Sequence, residues 1–360
     1  MGFSCPDFSV APLLVIWETT RSCALACSHC RASAELGRHP DELTTSEGFG
    51  LLDQIADMGT PIVIFSGGDP LNRPDLEELV RHAKRRGLRT GTIPAATPAL
   101  TRERLAALEE AGLDQLALSL DGPTPELHDR LRRTPGAFER TIAAAGDARA
   151  LGLPLQINTC FSRANIDRLE EMIALVASLG AVFWEVFLLI PIGRGRALGG
   201  LAPGRIEALF ERLSRLDGAA GFVVKITEGQ AYRRFLARAG KKRTRPMLRG
   251  APIHGGVTAT AQAVNAGKGF LFVDHVGRIC PSGFLPVACG DARRDSLSAI
   301  YRDSPMFREL RDPRALTGKC GRCEFAAVCG GSRARAHALT GDHRAADPAC
   351  EYEPLQEAVR

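Results

Sequence analysis

The chain has 360 residues, 45% hydrophobic and 24% charged, with 46 basic against 41 acidic side chains and a net charge of +5. That balance excludes collagen-like, disordered and wholly membrane-embedded chains, and so small an excess of charge gives no sign of a nucleic-acid face. The length suits one large domain or two ordinary ones, ample for a buried core. Eleven cysteines, odd in number and unevenly spaced, are the anomaly. The N-terminus MGFSCPDFSVAPLLVIWETT lacks the basic segment, long apolar run and cleavage site of a secretory signal. No apolar run reaches the roughly 18 residues of a membrane span. These features predict a cytoplasmic protein, where clustered thiols serve metals or catalysis rather than disulfides.

In chain order, residues 13–17 (LLVIW) read as a strand. Thr44 with Glu47 forms a capping box that starts a helix running to Asp57 and closed by Gly59. A strand at 61–66, a helix at 75–86 and a strand at 88–93 follow. Next come a helix at 102–111, a strand at 115–120, helices at 125–132 and 138–151, a strand at 153–159, a helix at 166–179 and a strand at 181–190. Six short apolar strands alternating with helices imply a parallel sheet covered on both faces. Six repeats fall short of a closed eight-fold barrel, so the expected fold is α/β, a partial (β/α)6 barrel.

Beyond Gly195 the pattern changes. Helices at 205–216 and 231–239 flank a strand-like FVVKI, and 240–268 is irregular, first basic and then rich in Gly and Ala. The latter reads as a solvated loop. A hairpin (GFLFVD–HVG–RIC), a helix at 296–310 and a tail with four cysteines complete the chain. The expected division is a core at 1–195, a bridge at 196–265 and a small Cys-rich extension at 266–360.

Cys23, Cys27 and Cys30 form a C-x3-C-x2-C run directly after the first strand. Three thiolates on one loop can hold three irons of an iron–sulfur cluster and leave the fourth open for a substrate. A zinc knot completed by His29 is the weaker reading, because structural zinc prefers two spaced ligand pairs. Cys320, Cys323, Cys329 and Cys350 are a second constellation, whose spacing suits either a structural zinc or a complete four-cysteine cluster.

The first run, with His29 before its last cysteine, resembles the radical S-adenosylmethionine (SAM) superfamily. Ser66-Gly67-Gly68-Asp69-Pro70 resembles that superfamily's GGEP motif, with Asp in place of Glu. The segments 93–97, 119–122, Asn158 and 191–195 follow in the expected order at the ends of successive strands. The resemblance implies a [4Fe–4S] cluster on Cys23, Cys27 and Cys30, and reductive cleavage of SAM to a 5′-deoxyadenosyl radical that abstracts hydrogen from substrate. It further implies SAM contacts from Gly67, Gly68 and Asp69 to the ammonium, from Ser119 and Asn158 to ribose or carboxylate, and from Arg194 to the carboxylate. An external reductant such as flavodoxin or ferredoxin would supply the electron.

The second constellation resembles the SPASM/twitch extension of these enzymes, which implies an auxiliary [4Fe–4S] cluster on Cys320, Cys323, Cys329 and Cys350. A full pattern has a further cysteine where this chain has Arg333, so Cys280 and Cys289 are expected to be buried or spare thiols, with a labile further cluster as the other reading. Cys5 and Cys160 read as ordinary residues. Over nearly the whole chain the resemblance is to the branch of haem-synthesis decarboxylases and haem d1 synthesis proteins. It implies an oxidoreductase or decarboxylase acting on a carboxylate side chain of a small molecule, of tetrapyrrole or sugar-acid type, or a dehydrogenation. Modification of a ribosomally made peptide is the alternative. It is disfavoured because the 22 residues before Cys23 are too few for a leader-binding domain. A non-catalytic electron-transfer protein is a third reading, opposed by the Gly67–Pro70 motif. Arg194, Arg333 and His337 are candidate substrate contacts, with Arg196, Arg335 and His275 as further options. The other histidines show no metal-ligand spacing.

Overall fold

The computed structural model describes residues 6–216, 221–240, 247–248, 251–252 and 264–355. The first part is a βα alternation. Its strands are β1 (Leu14–Glu18), β2 (Ile62–Ser66), β3 (Arg89–Thr92), β4 (Gln115–Ser119), β5 (Leu155–Phe161), β6 (Phe183–Leu188) and β7 (Val223–Thr227). The helices between them are α1 (Thr45–Asp57), α2 (Leu76–Arg85), α3 (Arg102–Glu110), α4 (Pro125–Arg132), α5 (Ala137–Ala150), α6 (Leu169–Ser178) and α7 (Pro203–Ser214), and α8 (Ala231–Arg238) follows β7. A two-strand ladder, β8 (Met247–Leu248) with β9 (Ala251–Pro252), leads to β10 (Phe270–Val273), β11 (Arg278–Cys280) and β12 (Gly290–Asp291). The remaining helices are α9 (Leu297–Asp303), α10 (Pro305–Arg311), α11 (Gly318–Gly321) and α12 (Arg333–Thr340).

Among the described residues ten strands form one open sheet in the order β12-β11-β10-β1-β2-β3-β4-β5-β6-β7. Pairing is parallel from β10 through β1 to β7, and β11 and β12 add antiparallel at one edge. The chain is therefore a partial βα barrel with a small C-terminal extension. FVVKI supplies β7, a seventh strand of the barrel series beyond the six expected. The hairpin strand β10 lies beside β1, with Leu14 opposite Phe270. Each strand turns alternate residues to its helices. Val15, Trp17, Val63, Phe65, Ile157 and Trp184 are fully buried there, whereas Ile16, Ile64, Asn158, Glu185 and Lys225 face the lumen.

The local signals account for most element ends. Thr44 and Glu47 cap α1 reciprocally, and Thr101 and Thr124 each accept a backbone N–H at the start of α3 and α4. One expected helix, 296–310, is two. Pro305 forces the residue before it out of the helical region, so Ser304 takes an extended conformation and caps α10. Much of 240–268, including His254, lies outside the described residues, as does Cys5.

Candidate active site

β1 ends at Glu18 and the chain then folds back as the three-cysteine loop. The loop is stitched to the end of β2, since Gly68 N–H donates to the Thr20 carbonyl and Asp69 N–H to the Ser22 carbonyl, both at 2.7 Å. Only glycine fits there. A Cβ on Gly67 would meet the Thr20 oxygen at 2.6 Å, and one on Gly68 the Arg21 and Ser22 oxygens at 2.5 Å. The other side is held from the segment after β6. Arg194 donates from its backbone to the Cys30 carbonyl at 3.0 Å, from Nε to the Cys27 carbonyl at 2.9 Å and from Nη1 to the Ala34 carbonyl at 3.2 Å. Its buried Nη2 has no partner. Arg194 thus fixes the loop with most of its donors.

The three cysteines line a cavity of about 250 Å³ together with Gly67, Gly68, Ser119, Asn158 and Cys160. Each sulfur has one donor aimed at it: Leu25 N–H at 3.3 Å on Cys23, Ala34 N–H at 3.5 Å on Cys30, and Arg132 Nη1 at 3.6 Å on Cys27. Burial, with Asp69 and the two neighbouring cysteines, pushes the Cys23 thiol up to about 12. A bare thiolate is therefore disfavoured here, and a cationic centre that stabilises thiolates fits the donor set. Among the described residues no three His, Cys, Asp or Glu side chains are placed to hold a single metal ion. A cluster spreads its thiolates over several irons and suits this loop better.

Asp69 is fully buried and already committed, accepting from Leu71 N–H, Ala95 N–H and the Thr97 hydroxyl at 2.8–3.3 Å. Burial raises its pKa. Ser119 and Asn158 lie opposite each other across β4 and β5, and the register continues through Glu185 on β6 to Lys225 on β7. This polar row leads from the cysteine cavity into a second cavity of about 220 Å³ in the lumen. Glu185, Lys225, Gln156, Tyr232 and Arg233 line it, and it shares Ile16, Asn158, Phe187, Phe270 and Phe284 with the first. Lys225 Nζ lies 3.9 Å from the centre of the Phe183 ring and 3.2 Å from Gln156 Oε1. Its burial lowers its pKa, against the pull of Glu185.

Several residues at the site have no motif of their own. Glu18, at the end of β1, pairs with Arg31 at 2.5 Å and with His275 of the β10–β11 turn at 2.8 Å. Arg31 also lies 4.7 Å from the centre of the Phe272 ring and donates to the Gly283 carbonyl, so it ties the cysteine loop to the C-terminal hairpin. His275, a candidate substrate contact, is occupied in this buried triad. Asp121 pairs with Arg132 at 2.5 Å, and His29 Nε2 lies 3.4 Å from it. Burial holds the His29 imidazole down at about 4, against the pull of Asp121, so it is neutral near pH 7. Pairings of this kind depend on strand register and helix docking, which no local spacing encodes.

Cys320, Cys323, Cys329 and Cys350 gather around one small cavity with Arg234 and Tyr352. Gly331 N–H reaches Cys329 Sγ and Asp347 N–H reaches Cys320 Sγ, both at 3.4 Å, and burial pushes the Cys329 thiol up to about 12. Arg333, standing where a further cysteine would belong, is buried beneath this loop. It donates to the His343 and Ala345 carbonyls at 2.8 Å and places Nη2 3.8 Å from Cys320 Sγ. Neither Arg333 nor His337 lines the cysteine cavity, and Arg333 lies instead against Cys320. Arg335 is bound to Asp347 and the Glu228 carbonyl. Cys280 is buried on β11, its pKa raised by burial and by Asp274 and Cys289. Cys160 lines the first cavity rather than the outer core.

A partial βα barrel whose first strand leads into a three-cysteine loop, stitched to a Gly-Gly turn, is the arrangement of a radical SAM enzyme. The chain belongs to the radical SAM superfamily. The family model described as "Radical SAM superfamily" matches residues 17–176. The chain is 38% identical to an AdoMet-dependent heme synthase of Oleidesulfovibrio alaskensis, covering 98% of this chain and 90% of that one. It is 39% identical to the AdoMet-dependent heme synthase of Methanosarcina barkeri, covering 96% and 97%. Its fold is similar to that of Streptococcus suis SuiB, solved with S-adenosylmethionine, with a TM-score of 0.72 at 15% identity over 95% of this chain and 78% of that one. The implied cofactors are SAM and a [4Fe–4S] cluster. No helix among the described residues is long and apolar enough to cross a membrane.

Proposed function

We propose that this radical SAM enzyme carries out the oxidative decarboxylation of a carboxylate side chain on a tetrapyrrole. The observation that carries the reading is the lumen cavity. It opens from the cysteine cavity, is walled by Phe187, Phe270 and Phe284, and presents the cations Lys225 and Arg233. Aromatic walls suit a flat apolar ring system and cations suit its carboxylates. The names of the heme synthase relatives point the same way.

Cys23, Cys27 and Cys30 would hold the cluster, and Gly67 and Gly68, which line the same cavity, would offer their backbone to the methionyl end of SAM. With both groups bound, reductive cleavage supplies a 5′-deoxyadenosyl radical, the agent that removes hydrogen from an unactivated C–H bond. On a propionate-type chain the hydrogen leaves from the carbon β to the carboxylate and ends in 5′-deoxyadenosine. The bond to the carboxylate then breaks, carbon dioxide leaves, a carbon–carbon double bond forms and one electron remains. Ser119, Asn158 and Arg194 would orient SAM, and Lys225, with Gln156 beside it, would hold a carboxylate. In this reading residues 1–195 would carry the cofactor, 196–265 would bridge, and 266–360 would hold a second cluster on Cys320, Cys323, Cys329 and Cys350, which would supply an acceptor for the leftover electron. An external flavodoxin or ferredoxin type of donor in the cytoplasm would supply the initial electron.

Two measurements test this. Reduced enzyme, SAM and a propionate-bearing tetrapyrrole should give a product lighter by carbon dioxide plus two hydrogens, with one 5′-deoxyadenosine for each event. SAM cleavage that leaves the tetrapyrrole intact, with a peptide or sugar acid changed instead, would overturn the substrate assignment. Anaerobic reconstitution should load about eight irons per chain, for two four-iron clusters. A plateau at about four would remove the second cluster.

A further inference from the structure

α4 ends directly against the cysteine loop. Ser28 N–H donates to the Leu131 carbonyl at 2.8 Å, and the next residue, Arg132, sends its side chain under Cys27. The guanidinium lies between a sulfur and a carboxylate, with Nη1 3.6 Å from Cys27 Sγ and Nη2 2.5 Å from Asp121 Oδ2. Its buried Nε has no partner. Asp121 is 1% exposed, and its second oxygen accepts from Cys160 N–H at 2.8 Å, so the carboxylate cannot turn away. Among the described donors, Cys23 and Cys30 receive neutral backbone N–H groups, whereas Cys27 receives a charged side chain.

The potential of an iron–sulfur cluster depends on local charge, burial and hydrogen bonds to its sulfurs. Reduction adds negative charge to the cluster, so a cation donating to a ligand sulfur stabilises the reduced state more than the oxidised one. We propose that Arg132, oriented by Asp121, is a positioning residue that raises the reduction potential of the SAM-binding cluster through the Cys27 thiolate. The consequence is an easier first electron, whatever the substrate. The inference rests on family membership and not on the tetrapyrrole reading.

The test is an anaerobic redox titration of the full-length, reconstituted enzyme, followed in the EPR signal that changes when SAM is added. Arg132→Gln removes charge and fork, and should shift the midpoint to lower potential with iron content unchanged. Arg132→Lys keeps the charge but loses the planar two-pronged geometry, and should fall between. Asp121→Asn should disturb the midpoint through Arg132, and this effect should vanish in the double variant with Arg132→Gln. An unchanged midpoint in Arg132→Gln overturns the proposal, as does a loss of SAM affinity with the midpoint unmoved, which would make Arg132 a SAM contact instead. Should Arg132→Gln fail to hold its cluster, the Lys variant decides: an unmoved midpoint there overturns the proposal equally.

Discussion

Cys27→Ala should reduce 5′-deoxyadenosine release to background while leaving the chain folded. The cysteine lies in a loop held at both ends by other residues, Gly68 and Asp69 on the β2 side and Arg194 on the β6 side. Removing its sulfur therefore leaves the barrel intact. What is lost is one of three thiolates, and two cannot fix a four-iron cluster with one open corner. Chromatography of reduced enzyme with SAM reads the first effect, and iron analysis should show the loss of one cluster. Release at the wild-type rate would sink the assignment of this loop as the SAM site, since no other three-cysteine run with that spacing occurs in the chain.

Glu18→Ala should cost about 3–5 kcal/mol of stability, the range for breaking a buried ion pair by removing one partner. Glu18 is 3% exposed, and its removal leaves the Arg31 guanidinium without its carboxylate and His275 without its partner. The pH dependence follows from the same contacts. Burial alone would raise the Glu18 pKa, but the Arg31 charge, with hydrogen bonds from His275 and Arg31, holds it at about 2, below the ordinary 4.5. A depressed carboxyl stabilises the fold fully above its unfolded value and loses that contribution as pH falls through its folded value. Wild-type stability should thus drop between about pH 4.5 and 2 in part through this residue, and the variant should lack that share. Denaturant unfolding at neutral and acid pH measures both. A variant within about 0.5 kcal/mol of wild type would mean the triad carries no net stability.

What could be read from the chain depended on whether the signal was local. The capping box of Thr44 and Glu47, the apolar strand runs and the glycine stops are contiguous, and they placed the first six βα units. The cysteine loop and the Gly67-Gly68 turn are equally local, and the structure brings them together because β1 and β2 are neighbours. FVVKI was visible as a strand but not as barrel strand β7, because membership of a sheet is a property of the partner. Arg194 was a candidate for SAM carboxylate binding, yet three of its donors serve loop carbonyls, a use only the folded backbone reveals. Arg132 and Arg31 carry no motif, and in a chain with 46 basic residues neither stood out. Arg333 stands where the resembled motif has a further cysteine, and its burial beneath carbonyls of the tail follows from the loop that closes over it.

The pairing of Leu14 with Phe270 has a consequence for how the molecule is made. A ribosome delivers β1 and the cysteine loop first, and β2 soon afterwards. The strand that covers the other flank of β1 arrives only in the last third of the chain. Until then β1 is an open edge, the kind of surface that templates wrong pairings, and its closure is a slow, long-range event. The Glu18–Arg31–His275 triad closes in the same step, because His275 comes with that late strand. Assembly of the site and completion of the polypeptide are thus nearly the same moment, and a nascent chain released before Phe270 carries Cys23, Cys27 and Cys30 on a loop whose strand is left unsealed.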